Sequence, residues 1–301
     1  MSGEVFRSAL ANTLRKTLDK LPMDSYEKNL VSSKFFEEDT TELAQVDDLE
    51  IGGPGLASEK AEGAEIALGT IMEGALTRYL PRTFALKLII SEEAMEDVQY
   101  KEAINAGKML IQSMWQTVDV DAGLQCARAW DTTYTYGDGQ PIFSASHTLP
   151  HGGTFSNTLA TAMSPSRAAV IVMASQAMGM PGHNGVTRGY DLKRVVCPKE
   201  QKWTWLTLVK STHAPEAGEF NAINVVNSEF DLEIVANKFW DNTSTNFFIQ
   251  TDCENGWRWI WRVKPSRRSW VNNDHTEMRF AVRARWARGV TDPRSAIGSQ
   301  A

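Results

Sequence analysis

The chain has 301 residues, 42% hydrophobic and 23% charged, which excludes chain-wide disorder and allows two modest domains or one elaborated one. No apolar run approaches the roughly 20 residues of a membrane span, and Met1-Ser-Gly-Glu-Val-Phe6 lacks the basic and apolar regions of a signal peptide, so an intracellular, soluble product without membrane contact is expected. The net charge of -6 is mild but unevenly placed: Glu37, Glu38, Asp39, Glu42, Asp47, Asp48, Glu50, Glu59, Glu62 and Glu65 face Lys60 alone, whereas Arg258, Arg262, Lys264, Arg267, Arg268, Arg279, Arg283, Arg285, Arg288 and Arg294 crowd the C-terminal end.

Val5 to Leu21 reads as a short amphipathic helix, with Phe6, Leu10, Leu14, Leu18 and Leu21 three or four apart. After Pro22 an acidic, weakly periodic stretch to about Gln45 is expected to be an extended arm, with too few apolar residues for a core of its own. Val46 to Ile51, Glu65 to Met72 and Leu76 to Ile90 are β-prone, and Gly52-Gly-Pro-Gly55 is a flexible turn, so 46–90 is expected to be a glycine-hinged β-hairpin that leaves the body and returns. The glycines fit neither phosphate-loop spacing.

The strand Phe84 to Ile90 then runs through Ser91-Glu-Glu93 into the longest helical pattern, 91–118. Ser91 suits an N-cap, Glu92, Glu93 and Glu96 complement the helix dipole, and Tyr100, Ala103, Ala106, Leu110, Met114 and Val118 form an apolar stripe. Asp119 to Trp130 is mixed, and 132–157 is a long loop of the kind that is usually functional or interfacial. His147 and His151 have zinc-helix spacing, but Pro150 lies between them and no His-Glu-x-x-His is present; Ser144 and Ser146 lack a nucleophile elbow. Cys126, Cys197 and Cys253 are too far apart in sequence for a zinc motif and read as ordinary thiols. No catalytic, metal or cofactor site is therefore expected.

Ala168 to Met178 is the next helix, capped by Ser164 or Ser166 and stopped by Gly179. A buried-type strand (Leu192 to Cys197), a helix (Pro198 to Ser211) and short strands at Ala222 to Asn227, Leu232 to Val235 and Asn246 to Gln250 make this half α+β. In the last section Trp257, Trp259, Trp261 and Val263 alternate with Arg258, Ile260, Arg262 and Lys264, and Met278, Phe280, Val282, Ala284 and Trp286 alternate with Arg279, Ala281, Arg283 and Arg285. Each is a strand with one apolar and one largely cationic face, the turn lying at Asn272 to His275.

This order of elements resembles the major capsid protein of tailed bacteriophages, the Hong Kong 97-type fold. Gly139-Gln-Pro-Ile-Phe-Ser-Ala-Ser-His147 followed by Gly152-Gly-Thr-Phe-Ser-Asn157 is similar to a loop of Mu-like major head subunits. Leu192-Lys-Arg-Val-Val-Cys-Pro-Lys-Glu200, Ala222-Ile-Asn224 and Leu232-Glu-Ile-Val235 resemble further stretches of that family, covering about residues 40 to 290. The resemblance implies an α+β fold with an N-terminal arm (1–45), an extended hairpin (46–90), a peripheral domain with a spine helix (91–163, spine 91–118), an axial domain (164–275) and a C-terminal strand returning to the peripheral domain (276–301). It implies a non-enzymatic subunit, made in the bacterial cytoplasm, that assembles with itself into hexamers and pentamers of an icosahedral virion shell around double-stranded DNA. Scaffold and portal proteins are its expected partners, and non-specific contact with the packaged DNA is a further one. The expected inter-subunit contacts pair Glu37, Glu38, Asp39, Glu42, Asp47 and Asp48, with the hinge Gly52 and Gly53, against Arg258, Arg262, Arg279, Arg283 and Arg285 of another copy. Two readings from other classes stand beside it: an α+β hydrolase using the His147/His151 loop, and a nucleic-acid-binding protein using the C-terminal arginine face.

Overall fold

Two four-stranded sheets, a long helix and a two-stranded hairpin frame the computed structural model, which describes residues 14–23, 26–27, 30–63, 65–91, 93, 100–213, 223–240, 245–272 and 277–300. In chain order the strands are β1 (Glu37–Thr40), β2 (Val46–Gly52), β3 (Met72–Tyr79), β4 (Arg82–Ile90), β5 (His147–Thr148), β6 (Thr154–Phe155), β7 (Leu192–Pro198), β8 (Glu233–Asn237), β9 (Phe247–Thr251), β10 (Trp257–Asn272), β11 (Glu277–Val290) and β12 (Ala296–Ser299). The helices are α1 (Tyr100–Ala127), α2 (Arg167–Met178), α3 (Lys202–Lys210) and α4 (Val225–Glu229).

The first sheet has the order β1-β10-β11-β4, with β1 parallel to β10 and the others antiparallel. α1 lies across its β11 and β4 strands. At 1.5 Å per residue its 28 residues span about 42 Å. The helix continues nine residues past Val118, where the sequence suggested a mixed segment, because Val118, Ala122 and Cys126 extend the buried stripe at intervals of four. Its start near Ser91 and the acids at 92 and 96 lies mostly outside the described residues. Under α1, Trp115, Trp257, Trp259, Trp261 and Trp286 pack with Phe35, Phe36 and Phe280 into one buried cluster. Trp259 stacks on Trp286, and Trp261 meets Trp115 and Trp286 edge-on, arrangements that add to the burial of the rings themselves.

Of the N-terminal amphipathic helix, residues 5–13 lie outside the described residues, and 14–18 are helical. Leu14, Leu18 and Leu21 are buried in the same aromatic core, with Leu18 against Gly107 of α1. Asp119 of α1 accepts hydrogen bonds from the Val31 and Ser32 N–H groups at 3.1 and 3.0 Å, fastening the following turn. The described residues between 14 and 40 are thus part of the body rather than a free arm: their few apolar side chains have no core of their own and share this one.

The second sheet, β12-β9-β7-β8, is buried on both faces, which suits its unbroken apolar strands. Val195, Cys197 and Ile249 face α2 and α3, while Val196 and Phe248 face the aromatic core. Ser166 caps α2 by accepting from the Ala169 N–H, and Gly179 ends it. At Val225–Glu229 a short helix replaces the expected strand: the Asn224 side chain accepts from the Val226 N–H and donates to the Leu208 and Ser211 carbonyls, a cap that a strand could not use.

Three further expectations differ. Residues 65–71 form no strand, and β3 ends at Tyr79 because Pro81 cannot continue the ladder into β4. β10 runs to Asn272 within the first sheet, so a boundary at 275 does not follow sheet membership; the strand expected at Met278 to Trp286 is part of β11 in the first sheet, while a further strand, β12, joins the second. The Trp/Arg alternation of β10 breaks after Trp261 at two register shifts on either side of Val263, the second spanning Pro265, so Lys264 turns to Glu27 (3.3 Å) and Arg267 donates to the Leu21 carbonyl instead of joining the cationic face.

Candidate interaction surface

The hairpin is firmly seated where it leaves the body. The Tyr79 and Asp48 side chains both bond the Thr291 hydroxyl at 2.7 Å. Glu50, buried in β2, accepts from Arg294 Nη1 and lies against His183 Nε2, each at 3.3 Å, and Arg294 also donates to Asp292 at 3.0 Å and to the Pro181 carbonyl at 2.9 Å. Gly52 is required here because a Cβ would overlap that of His183, and at Gly53 a Cβ would fall 2.7 Å from Arg188. Gly52 therefore serves close approach, whereas at Gly53 only the movable end of the Arg188 side chain is near. Glu50, His183 and Asp292 are spaced to hold a metal ion, but the Arg294 guanidinium reaches all three and supplies the positive charge there.

Beyond Gly52 the arm projects, and its described residues from 53 to 71 form neither helix nor strand. Leu56, Ile66 and Leu68 are 82%, 78% and 92% exposed, beside the acids Glu59, Glu62 and Glu65. Large aliphatic side chains held this far out of a core are unusual as a group, and each would gain about 1.5–3 kcal/mol on burial.

On the outer face of the first sheet, cross-strand partners share a side, which sets out four rows: Ile89, Arg279 and Trp270; Lys87, Ala281 and Arg268; Ala85, Arg283 and Ser266; Thr83, Arg285 and Val263. Arg279 pairs with Glu277 at 3.1 Å. Arg283 and Arg285 are half-buried, form no ion pair among the described residues, and each holds its Nε out of water with no acceptor; Arg262 has Nη1 in the same state. The tryptophans of β10 and β11 point the other way, except Trp270, at the far end of the face.

The acids expected to reach another copy are largely engaged within the chain. Asp39 pairs with Arg258 at 2.8 Å, Asp48 with the same guanidinium, Glu38 accepts from the Trp261 indole at 3.0 Å, and Asp47 takes a two-pronged bond from Arg78 at 2.9 and 3.2 Å. That pairing with Arg78, with a further bond from Gln45, holds the Asp47 carboxyl below the usual carboxylate range. Glu37 lies beside Arg258 in the β1–β10 register and Glu42 is exposed. The complementarity of the two ends is thus used at Arg258 to add β1 to the first sheet, and what remains for another molecule is Arg262, Arg283 and Arg285 together with the acids of the projecting arm. The seat residues Arg294 and His183 carried no sequence signal beyond ordinary polar residues near glycine.

The histidine loop does not bring a catalytic group together. His147 is buried, with Nδ1 2.6 Å from Asp138 and Nε2 3.1 Å from Asn157 Oδ1, so neither nitrogen faces a serine. His151 is on the exposed turn beyond β5. No helix of the described residues is long and apolar enough to cross a membrane.

No protein-family model matches the sequence, and no curated protein matches it. Solved structures do match. One of Microbacterium phage Oxtober96 superposes with a TM-score of 0.53 at 10% identity, over 90% of each chain. The capsid of a native GTA particle gives 0.51 at 14% identity, and that of an empty GTA particle 0.50 at 16%, each over 93% of this chain and 90% of its own. Likeness at these identities establishes the fold: the chain has the mixed α+β, Hong Kong 97-type capsid fold.

Proposed function

We propose that the chain is a phage major capsid protein, related to the Mu-like head subunits, that assembles with itself into hexamers and pentamers enclosing double-stranded DNA. The observation that carries this reading is the projecting arm, a seated hairpin whose exposed aliphatic and acidic residues have nothing to cover them in one copy. In this reading the hairpin of β2 and β3, with the 53–71 segment between them, crosses a neighbouring subunit, where Glu59, Glu62 and Glu65 meet Arg262, Arg283 and Arg285. The first sheet with α1 forms the peripheral domain, and the second sheet with α2, α3 and α4 forms the axial domain at which capsomer subunits meet. Single exposed ion pairs contribute little; repetition over a closed shell and large apolar interfaces supply the rest. Scaffold and portal proteins act during assembly, the finished protein resides in the virion, and the subunit has no catalytic role.

Light scattering and negative-stain electron microscopy of the purified protein, at moderate and then high salt and with any co-expressed scaffold, test it. Capsomers or closed shells are expected. A monomer under every condition overturns the reading. The unpartnered arginines also suit DNA phosphates; if they act so, the monomer binds duplex DNA with a steep salt dependence that Arg283→Glu/Arg285→Glu abolishes.

A further inference from the structure

Asn157 is fully buried and its orientation is fixed. Its Nδ2 donates to the Ile142 carbonyl at 2.7 Å and to the Pro293 carbonyl at 2.9 Å, and its Oδ1 accepts the Ser144 N–H at 2.9 Å. A flipped amide would set N–H against N–H and oxygen against two oxygens. His147 Nε2 therefore meets an acceptor at 3.1 Å, and Nδ1 meets a second acceptor, the Asp138 carboxylate, at 2.6 Å. A neutral imidazole has one N–H to give, and only the imidazolium has two.

We propose that His147 is held as the imidazolium and acts as a proton-operated clasp: doubly protonated it fastens the 136–157 loop beneath the hairpin, and losing one proton releases it. With Nδ1–H kept on Asp138, a neutral ring would turn the Nε2 lone pair on Asn157 Oδ1, and Asn157 cannot turn away without abandoning Ile142 and Pro293. The clasp reaches the hairpin because its loop supports it: a Cβ at Gly137 would fall 2.8 Å from the Thr77 hydroxyl and 2.9 Å from the Leu76 carbonyl of β3. A cavity of about 20 Å³ separates His147 and Asp138 from Glu50 and Ala75 of the hairpin.

The charged and titratable groups around the ring are Asp138 and Tyr136 in its own loop, Glu50 of β2 across the cavity, and Arg294, whose guanidinium lies 4.5 Å over the far side of the Phe155 ring. Phe155 itself stands 5.2 Å from the imidazole. Burial pushes the Asp138 carboxyl up, yet bonds from His147 and from the Gln140 N–H outweigh it and hold it below the usual range.

The test is amide hydrogen exchange of the full-length protein over residues 138–157, read from mildly acidic to mildly alkaline pH and corrected for intrinsic rates. It is set beside nitrogen-15 ring spectra of histidine-labelled protein, in which His147→Gln assigns the signal. The expected result is two ring protons wherever the loop is protected, and a fall in protection of roughly tenfold or more when the second proton leaves. Asp138→Asn, which keeps an acceptor for the Nδ1–H and removes its charge, should move that fall to lower pH, and this variant decides the matter if His147→Gln does not fold. A singly protonated ring in a protected loop, or a fall that Asp138→Asn leaves in place, overturns the proposal.

Discussion

Arg258 shows how one residue organises a distant stretch of chain. Its guanidinium holds both Asp39 and Asp48, so it fixes β1 to the sheet edge and steadies the base of the hairpin together. Arg258→Ala leaves the half-buried Asp48 and the exposed Asp39 without their cation and should cost about 1–2 kcal/mol in chemical denaturation. Arg258→Lys should restore only part, because an ammonium cannot fork to two acceptors. Asp138 gives a pH-dependent case. Its acidity is increased in the folded chain, so its charged form favours folding; that contribution is complete above the ordinary carboxylate range and is lost as pH falls through the folded value. Asp138→Asn should melt below the wild type at neutral pH, and the gap in thermal midpoint should close on acidification.

Among the elements, α1 has the tightest tolerance. A Cβ at Gly123 would come within 2.6 Å of the Phe239 carbonyl oxygen, so Gly123→Ala should destabilise by about 1–3 kcal/mol even though alanine is the better helix former by about 1 kcal/mol. Trp286→Ala should cost about 3–5 kcal/mol, since its ring stacks on Phe84 and Trp259 while its N–H reaches Asp121 at 2.8 Å. Both are read from urea midpoints. The same helix shows what the sequence could and could not convey. Its stripe was legible as far as Val118 because Leu110, Met114 and Val118 are large; past it Asp119, Asp121 and Gly123 look like an ending. In the fold those acids are partners, Asp119 for the 31–32 backbone and Asp121 for Trp286 and Arg288, and the glycine admits the 239–240 turn. The Trp/Arg alternation of the last strands was plain, but the register shifts after Trp261 had no local mark except Pro265. Charge complementarity between the chain's ends was equally plain, yet a contact within a copy and one between copies leave the same signature in composition. For Arg258 only the long-range pairing of β1 with β10 resolves it.

For the molecule as a whole, the separation between a stable body and an uncovered arm predicts a separation of phenotypes. Replacing residues 54–70 with a short glycine–serine linker should leave the thermal midpoint of the isolated subunit within a degree or two, because none of the arm's aliphatic residues belongs to either core, while abolishing higher assemblies in light scattering. Charge reversal at Arg283 and Arg285 should likewise spare the subunit and weaken assembly, and reversal of Glu59, Glu62 and Glu65 in the same chain should recover part of it. Failure of that recovery would leave the arginine face to another anionic partner.

Sheet closure also sets a timetable for biosynthesis. β1 waits for β10, some 220 residues downstream in the register of Glu37 with Arg258; β4 has no neighbour until β11 appears; and β9 is completed by β12, which ends at Ser299. The first sheet cannot be finished before β10 and β11, nor the second before β12, have left the ribosomal exit tunnel. A nascent chain stalled near residue 255 would display α1's apolar stripe and the unpaired edges of β4 and β9, the kind of surface that recruits chaperones and aggregates at high expression. Supply of finished subunits would then be governed by emergence of β10, β11 and β12, and deletion of β12 alone should lower soluble yield far more than loss of the arm.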